Sequence, residues 1–232
     1  MNILIVGASS EIAHYIINYH KIKDQVFLLD LPSQIDNLKK WDTNFDTLDV
    51  QNNKEIETYF KECNITFDKL YYLVGINTMK NGLDFNSQEW DNIMGTNLKS
   101  FYFFVKEFTK KNVINNIPAT IVSIASQHGV VANAYRTPYC VSKAGLIHLT
   151  RVLALELSLY DIRVNCVSPG FILNSKSHEF LNNPKVKKEY LSKTPLQRYI
   201  TPNEVANCCI FLNNSTSITG QNLIIDGGYT IW

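Results

Sequence analysis

Short apolar stretches rich in Val, Ile and Leu recur along the chain at residues 3–6, 26–29, 70–74, 120–124, 163–167 and 223–225. Segments of helical period separate them. Strands alternating with helices predict a parallel sheet with helices on both faces, an α/β fold. The best helical periods run over 90–111 and 138–160. In the second, Leu146, Leu149, Leu153 and Leu157 return every three or four residues along one face. Between 173 and 201 polar and charged residues interrupt the pattern, and an irregular stretch of that length inside a compact domain predicts a functional loop or lid. No repeat, low-complexity tract or linker divides the chain, so residues 1–232 read as a single domain.

Composition narrows the class. With 22 Lys+Arg against 21 Asp+Glu the net charge is +1, which offers no basic field to nucleic acid or an anionic membrane surface. Cys63, Cys140, Cys166, Cys208 and Cys209 show no CxxC or Cys/His spacing. Such an odd, scattered set fits a reducing compartment and speaks against a disulfide framework or zinc site. His14, His20 and His148 form no ligand cluster, so no metal is expected. The chain starts directly into its first apolar stretch and no run reaches bilayer length, so neither export nor membrane spanning is expected, and the cytoplasm is the expected location.

The stretch after residue 6 reads Gly7, Ala8, Ser9, Ser10, Glu11, Ile12, Ala13: a tight glycine turn between a strand and a helix. Such a turn aims free backbone N–H groups and the positive end of a helix dipole at an anion. A single glycine is a weak dinucleotide signal, and an ordinary turn capped by Ser9 or Ser10 fits it as well. Asp30 adds weight, because it closes the second strand a little over 20 residues later, where a carboxylate accepts hydrogen bonds from the ribose hydroxyls of NAD. A 2′-phosphate there would meet that carboxylate, and Leu31 brings no positive charge, so NAD is favoured over NADP. A solvated turn aspartate before Pro32 is the plainer alternative.

Tyr139 and Lys143 stand four apart in a predicted helix, hence on one face. A phenol titrates at about 10, and a neighbouring ammonium favours phenolate, so the pair can serve as a general acid/base. The spacing alone is common. Its context is Ser126 at the end of an apolar strand, at the sheet edge where ligands bind in open α/β folds.

With the Gly7 turn, Asp49 and Val50, Gly75, Asn97, Ser126, Tyr139 with Lys143, the run 163–170 and the ending 218–228, the whole chain resembles a classical short-chain dehydrogenase/reductase. The resemblance implies a single Rossmann-type doubly wound sheet and an oxidoreductase moving a hydride between nicotinamide and an alcohol or ketone. It implies that Tyr139 exchanges the substrate proton and that Ser126 hydrogen-bonds the same oxygen. Lys143 would lower the tyrosine pKa and hold the nicotinamide ribose, and Asn97 would support a water leading to that lysine. Cofactor contacts are implied for Gly7, Ser9, Ser10, Glu11, Ile12, Asp30, Leu31, Asp49, Val50, Val74, Gly75, Tyr139, Lys143, Pro169, Gly170 and Ile172. Assembly as a homotetramer or homodimer is implied too, with the helix face Phe101, Phe104, Val105 and Phe108 and the ending 229–232 as either interface or core.

Three departures from the family pattern stand out. Glu11 and Ala13 replace glycines, Tyr72 and Leu73 replace an amide pair, and Asn174 replaces a threonine at the nicotinamide. Glu11 puts a carboxylate near the expected pyrophosphate, which keeps a second reading open: a catalytically idle dinucleotide sensor or scaffold. For the substrate pocket the candidates are Gln127, His128, Val130, Tyr135, Arg136, Phe171, His178 and Tyr190, with Arg136 able to pair with a substrate carboxylate or phosphate.

Overall fold

The computed structural model describes residues 1–231, so Trp232 lies outside the described residues. In chain order the elements are β1 (Asn2–Val6), α1 (Glu11–His20), β2 (Gln25–Asp30), α2 (Ile35–Leu38), β3 (Asn44–Thr47), α3 (Asn53–Glu62), β4 (Lys69–Tyr72), α4 (Ser87–Met94), α5 (Ser100–Asn115), β5 (Ala119–Ile124), α6 (Thr137–Leu157), β6 (Ile162–Pro169), α7 (His178–Asn182), α8 (Pro184–Ser192), α9 (Pro202–Asn214) and β7 (Asn222–Ile225). The seven strands pair in parallel in the order β3-β2-β1-β4-β5-β6-β7. This is a Rossmann-type doubly wound sheet. The order reverses between β1 and β4, and such a switch point leaves a crevice at the carboxyl ends of the strands.

Side-chain alternation between two buried faces explains why most positions of the central strands are apolar. Ile3 and Ile5 pack with Ile16, Ile17, Val205 and Cys209 on the face covered by α1 and α9. Leu4 and Val6 point the other way, into a layer with Phe60, Phe101, Phe104 and Leu146 from α3, α5 and α6. Both faces are buried, so a strand with one polar face would leave unpaired groups in either layer. β3 is the exception. Its sequence, Asn-Phe-Asp-Thr, carries no apolar run because it is an edge strand with only Phe45 packed against the core.

The helical stretch over 90–111 is not one regular helix. A π-helical turn, Gly95–Lys99, joins α4 to α5. The widened turn presents Asn97 to the loop after β4, while Phe101, Phe104, Val105 and Phe108 beyond it are buried in the core. The second long period is continuous as α6 and closes in a 3₁₀ turn, Ser158–Tyr160.

The stretch 173–201 is not structureless, as its polar pattern suggested. Its ends are clipped together by a parallel bridge between Ile172 and Ile200, with Leu173 N–H donating to Ile200 O at 2.9 Å and Ile200 N–H to Phe171 O at 2.9 Å. Between the clips lie α7 and α8. Asn183 caps α8 by accepting from the N–H groups of Lys185 and Val186, Pro184 occupies the first turn, and Leu181 and Tyr190 are buried beneath. Few apolar anchors suffice for so short a pair of helices, which is why no period announced them.

Candidate functional site

At the crevice, Gly7 adopts φ +79°, and a Cβ on it would lie 3.1 Å from the carbonyl carbon of Leu73. Both the backbone conformation and the close approach to the next strand require glycine there. Ser10 then caps α1 by accepting from Ala13 N–H at 3.2 Å. Asp30 Oδ2 accepts from Ser9 N–H at 2.9 Å and from Ser9 Oγ at 2.6 Å, and its Oδ1 accepts from Leu31 N–H at 2.8 Å. A cleft of about 390 Å³ opens here, lined by Gly7, Ser9, Ser10, Asp30, Leu31, Asp49, Val50, Val74 and Gly75. Gln34, Gln51, Asn92, Thr96 and Lys176 also line it, unannounced by any motif.

The side chains of Ile12 and Glu11, both expected beside the cofactor, point away from this cleft. Ile12 packs against the core layer under α1. Glu11 turns from the cleft to the stretch 173–201, where its carboxylate accepts from Ser175 N–H at 2.7 Å. Hydrogen bonding from the Ser175 hydroxyl first and its N–H second, helped by the charges of His14 and Lys176, holds the Glu11 carboxyl below its ordinary range. An acid where the turn would normally carry glycine is thus occupied in tying the stretch after β6 to the turn after β1.

Ser126 follows β5 in extended conformation, and its Oγ accepts from His128 N–H at 3.1 Å, capping the turn Gln127–Gly129. That turn sits directly on α6: a Cβ at Gly129 would come within 2.7 Å of the Lys143 carbonyl carbon. The close approach brings Ser126 to the helix that carries Tyr139 and Lys143. Lys143 is 2% exposed. Its Nζ donates to Ile124 O at 2.7 Å and lies 5.9 Å from the centre of the Tyr139 ring. Burial lowers the lysine pKa to about 8. Asn97 ties the parts together: its Nδ2 donates to Ile76 O at 2.9 Å and to Ser142 Oγ at 3.0 Å, and its Oδ1 accepts from Ile76 N–H at 2.8 Å. Gly75 leaves room beside the lysine, since a Cβ there would stand 3.0 Å from Nζ.

The electrostatics of Tyr139 differ from the sequence expectation. Desolvation raises its phenol above the ordinary value, and the Ser126 hydroxyl and the Arg136 charge pull in the opposite direction. Arg136, rather than Lys143, is the cation that acts against this rise.

Ser126 and Tyr139 face a second cavity with Gln127, His128, Arg136, Gly170, Phe171, Ile172 and Asn174. Lys176 lines both cavities, so the two adjoin. Pro169 ends β6, and Gly170 N–H pairs with Ile225 O at 2.8 Å, which sets the backbone of the pocket wall. Tyr190 reaches the site from α8 by stacking on Phe171, with ring centres 4.1 Å apart, and His128 meets Phe171 edge-on at 5.7 Å. Burial first, and the Arg136 charge second, lower the His128 pKa to about 4. Val130 and Tyr135 are exposed outside this lining, as is His178. Asn77, Met79 and Phe180 belong to it without having been singled out.

Among the described residues no three His, Cys, Asp or Glu side chains gather as a metal site. Nor is any helix there long and apolar enough to cross a membrane. The family model described as enoyl-(acyl carrier protein) reductase matches residues 25–230. The chain is 32% identical over 212 residues to a D-arabinitol 2-dehydrogenase (ribulose-forming) of Candida tropicalis, covering 86% of this chain and 73% of that protein. It is 31% identical over 232 residues to the 3-oxoacyl-[acyl-carrier-protein] reductase FabG of Rickettsia prowazekii (strain Madrid E), covering 97% and 95% respectively. Among solved structures, a 4-hydroxyisoleucine dehydrogenase complexed with NADH matches with a TM-score of 0.92 at 29% identity, over 100% of this chain and 99% of that one.

Proposed function

The chain belongs to the short-chain dehydrogenase/reductase family, and from that premise we propose that it is an NAD-dependent enzyme interconverting an alcohol and a ketone. One observation carries the reading: Ser126 and Tyr139 face a cavity that adjoins the Asp30 cleft, with Lys143 buried behind them. The residues of the cleft fit a nicotinamide dinucleotide. The Gly7 turn and the capped start of α1 suit a pyrophosphate, and the Asp30 carboxylate suits ribose hydroxyls and repels a 2′-phosphate. The NADH held by the 4-hydroxyisoleucine dehydrogenase is in keeping with this choice.

The cofactor, when bound, takes up or supplies the hydride. The chain handles the proton. In reduction, Ser126 donates a hydrogen bond to the substrate carbonyl oxygen and Tyr139 gives that oxygen its phenolic proton. In oxidation, the tyrosine takes the hydroxyl proton back. Desolvation keeps the phenol protonated at neutral pH, which favours the donor role. Lys143, with its pKa at about 8, is an ammonium at neutral pH; one proton is held by Ile124 O and the others are left for ribose hydroxyls and the tyrosine side. Asn97 fixes the loop after β4 against α6 and so positions the lysine.

The free cysteines suit a reducing, cytoplasmic setting. Self-association into dimers or tetramers finds support in the exposed apolar row Val152, Leu155 and Leu159, and light scattering measures it. The test of function is a titration with NADH and NADPH followed by turnover on a panel of alcohols and ketones. NADH is expected to bind more tightly and support turnover. Tight binding without turnover anywhere on the panel would favour a sensor, and a preference for NADPH would overturn the role of Asp30.

A further inference from the structure

Arg136 is the one guanidinium in the wall of the substrate cavity, and its situation is unusual. It is only 7% exposed. Its Nη2 has no better partner than the Met79 sulfur at 3.1 Å, and its buried Nε has no partner at all. Among the described residues no carboxylate lies within ion-pair distance of it. The cavity it lines contains no Asp or Glu, and the other cation there, Lys176, is exposed to solvent. A buried, uncompensated cation is costly, and proteins tolerate it where something else supplies the opposite charge.

Resting on the reading of the site as an alcohol/ketone oxidoreductase, we propose that the substrate is a hydroxy acid or its oxo-acid partner, whose carboxylate is held by Arg136 while its carbinol oxygen meets Ser126 and Tyr139. The planar fork of a guanidinium matches a carboxylate in two parallel hydrogen bonds. One buried positive charge is neutralised by one negative charge, which favours a carboxylate over a doubly charged phosphate. Nearby groups agree with an anion and offer it no competition. His128, the titratable group packed beside the cavity, is neutral at physiological pH and adds no charge of either sign. Gln127 keeps a buried Oε1 without a donor, which a second hydroxyl of the substrate can satisfy. Phe171, backed by the stacked ring of Tyr190, gives the cavity an apolar wall, and low polarity around an ion pair strengthens it. The same arginine lowers the pKa of Tyr139. A bound carboxylate would offset that influence, and the phenol would stay protonated with substrate in place.

The experiment compares matched pairs with the full-length enzyme and NADH or NAD. Lactate, 3-hydroxybutyrate and gluconate, with their oxo forms, are each assayed against the neutral amide of the same skeleton. At least one acid is expected to exceed its amide in kcat/KM by roughly 10- to 100-fold, the scale of a charge-assisted hydrogen-bonded pair. In R136Q that ratio is expected to collapse toward one, mostly through KM, with R136K keeping part of it. Succinate, titrated calorimetrically, is expected to bind wild type and not R136Q, while succinamide binds neither. Equal use of acids and amides by the wild type, or a ratio unchanged in R136Q, would overturn the proposal even though turnover itself upholds the oxidoreductase reading. Inorganic phosphate displacing succinate at lower concentration would overturn the choice of carboxylate. Should no substrate turn over, the oxidoreductase reading fails separately, and succinate binding still decides whether Arg136 is an anion site. Where R136Q does not fold, the wild-type ratio and the succinate titration carry the decision.

Discussion

Replacing His128 with Gln is expected to make the protein more tolerant of acid. The imidazole is buried in the wall of the substrate cavity beside the Arg136 charge, and its pKa falls from 6.5 to about 4. At pH 7 the ring is neutral in the folded and unfolded chains alike, so it contributes no pH dependence. Below 6.5 the unfolded chain takes up a proton that the folded chain refuses until about pH 4. The unfolded state therefore binds more protons across this window, and stability is lost as the pH falls through it. At about 1.4 kcal/mol per unit, one and a half units between 6.5 and 5 give a loss of about 2 kcal/mol at pH 5. The measurement is urea unfolding of wild type and H128Q at pH 7 and pH 5, with other carboxyl and histidine contributions cancelling in the difference. H128Q should gain about 2 kcal/mol on the wild type between the two pH values, whatever its offset at pH 7. Parallel pH profiles would refute the argument, because they would mean that the ring is protonated in the folded protein as readily as in the unfolded one.

Tyr139→Phe removes the proton donor, with its hydrogen bond to Ser126, and keeps the ring, so turnover should drop by roughly 10²- to 10⁴-fold while the NADH dissociation constant moves by less than a factor of about three. Retained turnover would exclude Tyr139 as the acid/base. Glu11→Ala cuts the link to Ser175, and hydrogen exchange over residues 174–177 should quicken while α1 stays protected, with KM rising more than kcat falls. Unchanged exchange there would show that the Ile172 and Ile200 clip alone holds this stretch.

How much of this the sequence disclosed depends on how local each feature is. The central strands were legible because burial on both faces forces an apolar side chain at almost every position, as in Ile3 to Val6. β3 was not, because an edge strand needs only Phe45 on the core. Gly7, Asp30 and the Tyr139–Lys143 spacing were legible because each depends on a short stretch of backbone: a left-handed turn, a strand end, one turn of helix. Features made by distant parts of the chain left no such mark. The π turn exists to bring Asn97 against Ile76 and Ser142, residues 21 and 45 positions away. The role of Glu11 is set by Ser175, 164 positions on. Arg136 was visible as a cation beside the tyrosine, but its lack of a carboxylate partner among the described residues is a property of everything packed around it, and only that lack makes it informative. In this site the cations are not distributed alike. Lys143 is held by a backbone carbonyl and Asn97 sits behind it, so its charge is accommodated in the resting protein. Among the described residues Arg136 meets only the Met79 sulfur and no carboxylate, and the group that completes it is therefore to be sought in the ligand.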